Sequence, residues 1–183
     1  MTTPSDTELM RDVGRGRTGA LATLFERHHA RLYRFCLRMT GNRQTAEDLV
    51  QDVFMRMLKY RASFKADMAF TPWMFGIARN ACADYLRRAA LDPTPSEAAV
   101  AALERQPAEE PTERHEAEIV RRALLALPVE GREVLVLSRY ELKTYEEIAG
   151  ALGCSVGAVK VRVHRAIKRL REIYMEMAEE VSA

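Results

Sequence analysis

The sequence predicts an all-α protein with two small helical domains that are joined by a flexible acidic linker. Apolar residues recur at three- and four-residue steps through most of the chain, which is the period of an amphipathic helix. Aromatic residues make up only 7% of the 183 residues, which argues against an all-β sandwich. The helical pattern stops at residues 91–118, where prolines and acidic residues are concentrated.

The N-terminal domain is expected to span residues 17–90, after a short segment at residues 1–16. That segment contains a helix near Asp6 to Val13, which ends at a glycine-containing break. A longer helix follows, and Gly41 is well placed as its C-terminal stop. The predicted apolar stripe of this longer helix is Leu21, Leu24, Phe25, His28, Leu32, Phe35, Cys36 and Met39.

A third helix is predicted to start at Asn42 and to separate an apolar stripe from an acidic side. The stripe consists of Ala46, Leu49, Val50, Val53, Phe54, Met57 and Leu58. The opposite side carries Glu47, Asp48, Gln51 and Asp52. These residues give the helix an acidic surface, and one interpretation is that they only solvate it.

A fourth helix is predicted after a loop that runs from Tyr60 to Phe70. Thr71 is expected to be its N-cap, and Pro72 fits the first turn because the N–H group that proline lacks has no helical partner there. The helix is predicted to run through Arg88. Four helices in about eighty residues predict one domain.

The linker, residues 91–118, contains Pro93, Pro95, Pro107 and Pro111. It has two arginines against eight acidic residues, so its net charge is −6. Such a composition is typical of a flexible or partly helical tether, or of a solvated spacer with no further role.

The C-terminal domain is expected at residues 119–177, and a short tail follows at 178–183. Its first helix should be short, with Ile119, Ala123, Leu124 and Leu127 on one side and Pro128 as its stop. A second helix should start near Glu130 and contain Val134, Leu135, Leu137 and Ser138.

The segment from Thr144 to Arg171 has the layout of a helix-turn-helix motif. Thr144 and Glu147 form a capping box for its first helix. Gly153 permits a left-handed turn, and Ser155 can cap the second helix.

The second helix of this motif is predicted to place a basic face in the major groove of DNA. Its expected inward stripe is Val156, Val159, Val163, Ile167, Leu170 and Tyr174. The adjoining face carries Gly157, Lys160, Val161, His164, Lys168 and Arg171, with Arg162, Arg165 and Arg169 beside it. No carboxylate occurs from Val156 to Arg171, although a merely solvated basic helix would normally include some for pairing.

An enzyme is the class that the sequence favours least. The four histidines do not pair with cysteine or carboxylate at metal-ligand spacing, and no glycine-rich phosphate loop is present, so we expect no metal and no cofactor. Cys36, Cys82 and Cys154 lie within apolar helical patterns and are expected to be small core residues. No signal peptide or membrane span is predicted, and the expected location is the cytoplasm.

Three segments, in this order, resemble the extracytoplasmic-function group of the sigma-70 family. The resemblance covers nearly the whole chain apart from the first dozen residues, the linker and the tail. The segments are TAEDLVQDVFMRML, similar to the polymerase-binding helix, FTPWMFGIARNACADYLRR, similar to the promoter-melting segment, and YEEIAGALGCSVGAVKVRVHRAIKRLR, similar to the reader of the upstream element.

The resemblance implies an RNA polymerase sigma factor that directs transcription initiation at a specific set of promoters. Its implied partners are promoter DNA and core RNA polymerase, at the clamp helices of the largest subunit and at the flap. An anti-sigma protein commonly silences members of the family. The residues implied for docking on the clamp helices are Asp48, Gln51 and Asp52.

The resemblance also implies a site for the minus-ten element in the first domain. The loop from Ser63 to Thr71 would capture a flipped base, with Phe64 and Asp67 as candidates. Asn80 would contact the opened strand. The implied phosphate contacts are Arg79, Arg87 and Arg88, and the aromatic residues that either stack on bases or belong to the core are Trp73, Phe75 and Tyr85.

For the minus-thirty-five element, the base-reading positions implied are Lys160, Val161, His164 and Arg165, with Ser155, Gly157, Arg162 and Lys168 as further DNA contacts. Lysine at 160 replaces the arginine that is frequent in the family. Lysine lacks the planar fork that binds guanine through two hydrogen bonds, so the bases recognised stay open.

Two other interpretations stay open from the residues alone. One is a helix-turn-helix regulator that works without polymerase, which the C-terminal half would permit. The other is a sigma-like decoy that binds an anti-sigma protein. The decoy has no need for a basic helix without carboxylates.

Overall fold

The computed structural model describes residues 3–65, 67–91, 111–141 and 143–182. Within these ranges the regular secondary structure is helical and no strand occurs, so the all-α prediction is confirmed. The chain divides into two compact units. One comprises residues 1–37 and 43–93, and the other residues 38–42 and 94–183.

Four α-helices and one short 3-10 turn form the described part of the first unit. The helices are α1 (Asp6–Gly14), α2 (Ala20–Thr40), α3 (Arg43–Lys59) and α4 (Phe70–Leu91), and the turn is Arg61–Ser63. The last residues of α2 group with the second unit. Gly41, which ends α2, has a φ of 73°, as expected for a helix stop in the left-handed region.

The core of the first unit consists of the apolar stripes of these four helices. Phe35 on α2 meets Phe75 on α4 edge to face, with ring centroids 5.3 Å apart. Cys36 and Cys82 are free thiols in the same core, with sulfurs 3.9 Å apart. The other buried apolar residues are Leu9, Met10, Val13, Leu24, Leu32, Ala46, Leu49, Val50, Val53, Phe54, Met57, Phe70, Met74, Ala78 and Ala81.

Helix α1 is attached to α2 by a carboxylate with two basic partners. Ser5 forms a capping box with Glu8 and thereby fixes the start of the helix. Asp6 accepts a hydrogen bond from Arg27 Nη1 at 2.8 Å, and its other oxygen lies 2.7 Å from Nε2 of the buried His28. Burial alone would raise the pKa of Asp6, but the hydrogen bonds and charges of Arg27 and His28 outweigh it and lower that pKa.

Two local predictions for the first unit were wrong. Thr71 is the second residue of α4 and not its N-cap, because the helix already begins at Phe70, whose side chain is buried. Phe25 is 41% exposed, although it was assigned to the buried stripe of α2. Its ring lies between His29 and Phe54 at the edge of the core, with both centroid distances 5.0 Å.

The described part of the second unit contains helices α5 (Pro111–Ala126), α6 (Val129–Leu135), α7 (Tyr145–Leu152) and α8 (Val156–Ser182). A π-helical turn, Val136–Tyr140, continues α6. The first helix was expected to be short, but it begins eight residues before Ile119, within the segment predicted as linker. Residues 92–110 of the predicted linker lie outside the described residues.

The buried residues of the second unit come from all of its described helices. The apolar ones after residue 111 are Ile119, Ala123, Leu124, Leu127, Val134, Leu135, Val136, Leu137, Ile148, Ala149, Val159, Val163, Ala166 and Ile173. Arg132 is also buried, and it donates hydrogen bonds to the carbonyls of Leu125 and Leu127 at the end of α5. It thereby satisfies helix-terminal acceptors that would otherwise lack partners. No described helix is long and apolar enough to cross a membrane.

We expect Asp6→Asn to lower the free energy of unfolding by about 1 kcal/mol, because the partly exposed carboxylate loses its charge toward Arg27 and His28. The folded-state pKa of Asp6 is lowered, so this contribution is present at neutral pH and is lost as the pH falls through that lowered value. Thermal unfolding at neutral and acidic pH measures both effects.

The matched control is Asp12→Asn on the same helix, which removes exposed ion pairs with Arg15 and Arg17. That change should have an effect below about 0.5 kcal/mol. Equal effects of the two substitutions at neutral pH would contradict the assignment of Asp6 as the attachment point of α1.

Candidate nucleic-acid interface

Of the two helices of the helix-turn-helix motif, α7 begins and ends as the sequence predicted. Helix α8 begins as predicted but continues to Ser182, through residues that were expected to form a tail. Thr144 accepts a hydrogen bond from the backbone N–H of Glu147, whose side chain accepts one from the Thr144 N–H at 3.0 Å. Gly153 follows α7 with a φ of 62°, in the left-handed region. Ser155 Oγ accepts from the Ala158 N–H at 3.1 Å and caps α8. These local interactions fix where α8 starts.

The buried stripe of α8 differs from the one predicted. It consists of Val159, Val163, Ala166 and Ile173. Ile167, which was assigned to the stripe, is 39% exposed and lines an apolar groove on the surface. The other residues lining this groove are Val120, Leu170, Arg171 and Tyr174.

The burial of Val159 and Val163 turns the opposite side of α8 toward solvent. Every residue predicted to contact the minus-thirty-five element lies on this exposed surface: Ser155, Gly157, Lys160, Val161, Arg162, His164, Arg165 and Lys168. Lys160 and His164 are one helical turn apart, as expected. Val161 is 49% exposed between them, so an apolar contact is available beside two hydrogen-bond donors.

The C-terminal half of α8 contains acidic residues, unlike the basic first half. Arg169 Nη1 lies 3.1 Å from Glu172 Oε2 and 3.9 Å from Glu176 Oε1. Arg169 is therefore paired within its own helix, whereas the residues from Val156 to Lys168 lie in a stretch without carboxylates. The basic surface belongs to the first half of the helix.

The loop predicted for base capture places three aromatic rings together in the first unit. Phe64 is half-buried, and its ring centroid lies 5.1 Å from that of Trp73 and 6.4 Å from that of Phe70. Asp67, the other candidate, is exposed. A partly exposed Phe64–Trp73 pair offers a ring face on which an unstacked base can lie.

The remaining aromatic candidates of α4 have structural roles. Phe75 is buried against Phe35 and belongs to the core. The Tyr85 hydroxyl accepts a hydrogen bond from Thr45 Oγ1 at 3.3 Å, which joins α4 to α3. Trp73 is only partly buried, so it is the candidate for stacking.

The polar residues of α4 lie near a carboxylate that the sequence reasoning did not assign. Asn80 is exposed and lies one turn before Asp84. Arg87 Nη2 is 2.7 Å from Asp84 Oδ1, and Arg88 Nε donates to the Asp84 carbonyl at 3.3 Å. Arg79, the third predicted phosphate contact, is partly buried. Two of the three predicted phosphate contacts are thus held by one residue of their own helix.

The face of α3 predicted for docking is exposed, but one of its members is paired. Asp48 accepts from Gln44 Nε2 at 3.3 Å, and Gln51 is exposed. Asp52 Oδ2 lies 2.9 Å from Arg56 Nε on the same helix.

The sequence reasoning missed Met55, which is 65% exposed on the same helix. Asp48, Gln51 and Met55 follow each other at three- and four-residue steps and share one face. The sequence contained a signal for Met55, because it is an apolar residue outside the predicted stripe of α3. Methionine is enriched at protein–protein interfaces relative to the rest of the surface, which makes Met55 a candidate contact.

Within the described residues, no group of three histidine, cysteine or acidic side chains is placed to hold a metal ion. Cys154 was expected inside a helical pattern, but it lies in the turn between α7 and α8. Its side chain is partly buried there.

Comparisons with known families give two matches. The model for Sigma-70 region 2 matches residues 24–91, and the model for Sigma-70 region 4 matches residues 117–170. The first match covers α3 and α4, and the second covers most of α5 and the helix-turn-helix.

Two curated relatives match nearly the whole chain. RNA polymerase sigma factor CarQ of Myxococcus xanthus is 34% identical over 174 residues, which cover 91% of this chain and 96% of the relative. The ECF RNA polymerase sigma factor SigM of Mycobacterium tuberculosis is 36% identical over 171 residues, covering 92% of this chain and 84% of the relative.

Two solved structures have similar folds. CnrH in complex with the cytosolic domain of CnrY matches with a TM-score of 0.69 and 28% identity, covering 92% of this chain and 96% of that one. The sigma factor RpoE from Bartonella quintana, in complex with the anti-sigma factor NepR, matches with a TM-score of 0.65 and 27% identity, covering 83% and 94%.

Alanine substitution should change stability in opposite directions at Gly153, in the turn after α7, and at Gly150, within α7. Gly153→Ala should lower the stability of the second unit by about 1 kcal/mol, because an alanine at a φ of 62° is strained. Gly150→Ala is the matched control in the exposed part of α7, where nothing lies near the added methyl group. It should raise stability by up to about 1 kcal/mol, since alanine favours a helix over glycine.

Thermal unfolding followed by circular dichroism measures both variants. Stabilisation by alanine at position 153 would contradict the left-handed turn.

Proposed function

The chain belongs to the extracytoplasmic-function group of the sigma-70 family and is an RNA polymerase sigma factor, and on this premise we propose how its helices divide the work. Residues 17–90 bind core RNA polymerase and open the minus-ten element. Residues 119–177 recognise the minus-thirty-five element. The protein acts by binding and not by catalysis, and it acts in the cytoplasm.

The main support for recognition of the minus-thirty-five element is the uninterrupted exposed face of α8. All eight residues assigned to that role are exposed, and the same stretch has no carboxylate. An α-helix with such a face fits the major groove, where Lys160 and His164 donate to base edges and Lys168 binds phosphate. Each matched base contact contributes about 1–3 kcal/mol of discrimination.

The first domain contributes the downstream contact. Unstacking and unpairing a base costs a few kcal/mol, and stacking on an aromatic ring returns about 1–3 kcal/mol per base. The Phe64–Trp73 pair can supply that stacking, and Asp67 lies exposed in the same loop. Asn80 and Arg87 on α4 then contact the opened strand.

The docking surface on α3 joins these contacts to the enzyme. Asp48 and Gln51 offer acceptors to a basic helix of the largest polymerase subunit, and Met55 adds an apolar anchor. Contact with the clamp helices and the flap places both domains on one duplex. Neither domain then has to supply the full affinity for the promoter.

We also propose an anti-sigma partner for this chain. One solved relative was determined in complex with an anti-sigma factor, and another with the cytosolic domain of a second protein. A partner that covered α8 and the docking face of α3 would silence the protein. The two rival interpretations, a polymerase-independent regulator and a decoy, receive no support from the comparisons.

Run-off transcription tests the proposed function directly. Core RNA polymerase with this protein should initiate at promoters that core alone does not use, which sequencing of the transcripts identifies. Asp48→Arg should lower the affinity for core about tenfold, because it places a cation against a basic surface. The control is Glu179→Arg, an exposed site near the end of α8, which should leave initiation unchanged.

The absence of any new start site, in the presence of core and the wild-type chain, would count against the proposal. Wild-type transcription by Asp48→Arg would count against docking through α3.

Two lysines on α8 should have different effects on promoter selection. Lys160→Ala should relax the base preference at one position of the minus-thirty-five element, since Lys160 faces base edges. Lys168→Ala should weaken binding to every promoter about equally and lower the salt dependence by one phosphate contact.

Initiation from a library of promoters with randomised minus-thirty-five elements, at several salt concentrations, separates these outcomes. An unchanged base preference for Lys160→Ala would contradict its assignment to base reading.

A further inference from the structure

Arg56 is a residue of α3 whose side chain reaches α4 and binds a carboxylate on each helix. Its Nε lies 2.9 Å from Asp52 Oδ2, one turn earlier on α3, and its Nη1 lies 2.9 Å from Asp84 Oδ2 on α4. The Arg56 side chain is only 24% exposed. The docking helix and the DNA-facing helix are therefore joined by one guanidinium group.

Asp84 also binds an arginine on the exposed side of α4. Its second carboxylate oxygen, Oδ1, lies 2.7 Å from Arg87 Nη2. The Arg87 side chain is 70% exposed, so the rest of its guanidinium group faces solvent. An arginine has five N–H donors, and those not used on Asp84 can bind a phosphate. The order of contacts is Asp52, Arg56, Asp84, Arg87.

The charges of these four residues cancel when all are ionised. The hydrogen bond from Arg56 is the largest influence on the pKa of Asp84 and lowers it, and the pKa of Arg56 is raised in turn. Both shifts favour the charged forms of Asp84 and Arg56. Without Arg56, the Asp84 carboxylate would have only Arg87 as a charged partner. Asp84 lies one helical turn from Asn80, where the opened strand is proposed to pass.

We propose that Arg56 is a positioning residue for strand opening. It holds Asp84 so that Arg87 is oriented toward the phosphates of the opened strand, and it neutralises a carboxylate that would otherwise repel them. This inference rests on the proposed role of α4 as the strand-contacting helix.

The test uses holoenzyme assembled from core polymerase and the full chain. The probe is a fluorescent single strand with the non-template minus-ten sequence of a promoter that this holoenzyme transcribes. Its affinity is measured at several salt concentrations for wild type, Arg56→Ala, Arg87→Ala and the double variant. Arg15→Ala, which removes the ion-paired arginine directly after α1, is the matched control.

We expect Arg56→Ala and Arg87→Ala each to weaken strand binding about fivefold, and each to lower the salt slope by about 0.7, the value of one phosphate contact on a single strand. The double variant should be no more than about twofold weaker than Arg87→Ala, because both changes remove the same contact. Arg15→Ala should match wild type. Binding of Arg56→Ala to core polymerase should stay within about twofold.

A second variant separates positioning from loss of folding. Asp84→Asn removes the carboxylate, so Arg56→Ala with Asp84→Asn should bind the strand more tightly than Arg56→Ala alone. A purely structural role would make the double variant weaker still.

Three results would overturn the inference. They are a wild-type salt slope for Arg56→Ala, losses that multiply fully in the Arg56 and Arg87 double variant, and loss of core binding by Arg56→Ala. If the proposed function itself fails, the wild-type holoenzyme will not bind the strand, which is a distinct outcome.

Discussion

The burial of one side of each helix determines which side chains are available for function. In α8, Val159 and Val163 are almost completely buried, and residues between them are turned outward. Burying a valine side chain contributes about 1.5–3 kcal/mol, which is similar to one good base contact at about 1–3 kcal/mol. Rotating the helix to improve a contact with DNA would expose several buried residues at once. The core therefore fixes the orientation of the DNA-facing residues before any DNA is bound.

The same constraint operates in the first unit, where α3 and α4 carry different surfaces. The buried residues Val53 and Phe54 leave Asp48, Gln51 and Met55 exposed for a protein partner. On α4 the burial of Ala78 and Ala81 leaves Asn80 exposed. Arg56 and Asp84 bridge the two helices across their packed sides. In the proposed function, each contact is individually weak, and core polymerase raises the effective concentration of each domain at its element.

Features that depend on neighbours in sequence were predictable from the residues. The capping box of Thr144 with Glu147 and the left-handed Gly153 involve only local hydrogen bonds and backbone conformation, and both predictions are confirmed. Features that depend on packing between helices were harder to predict. Ile167 matches the helical period of the stripe, yet it lines an open groove because the neighbouring helices do not cover it. Periodicity shows which residues could be buried, but it does not show what covers them.

The candidate functional residues were also predictable where they depend on sequence neighbours, and not where they depend on packing between helices. The exposure of the basic face of α8 was predictable, since a stretch without carboxylates and with regular apolar spacing allows few alternatives. The pairing of Asp52 and Asp84 through Arg56 was not, because the two carboxylates are distant in sequence and meet only when α3 packs on α4. The assignment of Asp52 to docking stays a prediction. Its ion pair gives that carboxylate a partner inside the protein as well.

In the proposed function, both domains contact one duplex only while core polymerase holds them. This dependence is tested by a hydroxyl-radical footprint of a promoter fragment, with the chain alone and with the chain on core polymerase. We expect two separate protected stretches with core present, unpaired bases within the downstream one, and no protection by the chain alone at the same concentration. Equal protection by the chain alone, or a single protected stretch in the complex, would show that core polymerase is not required.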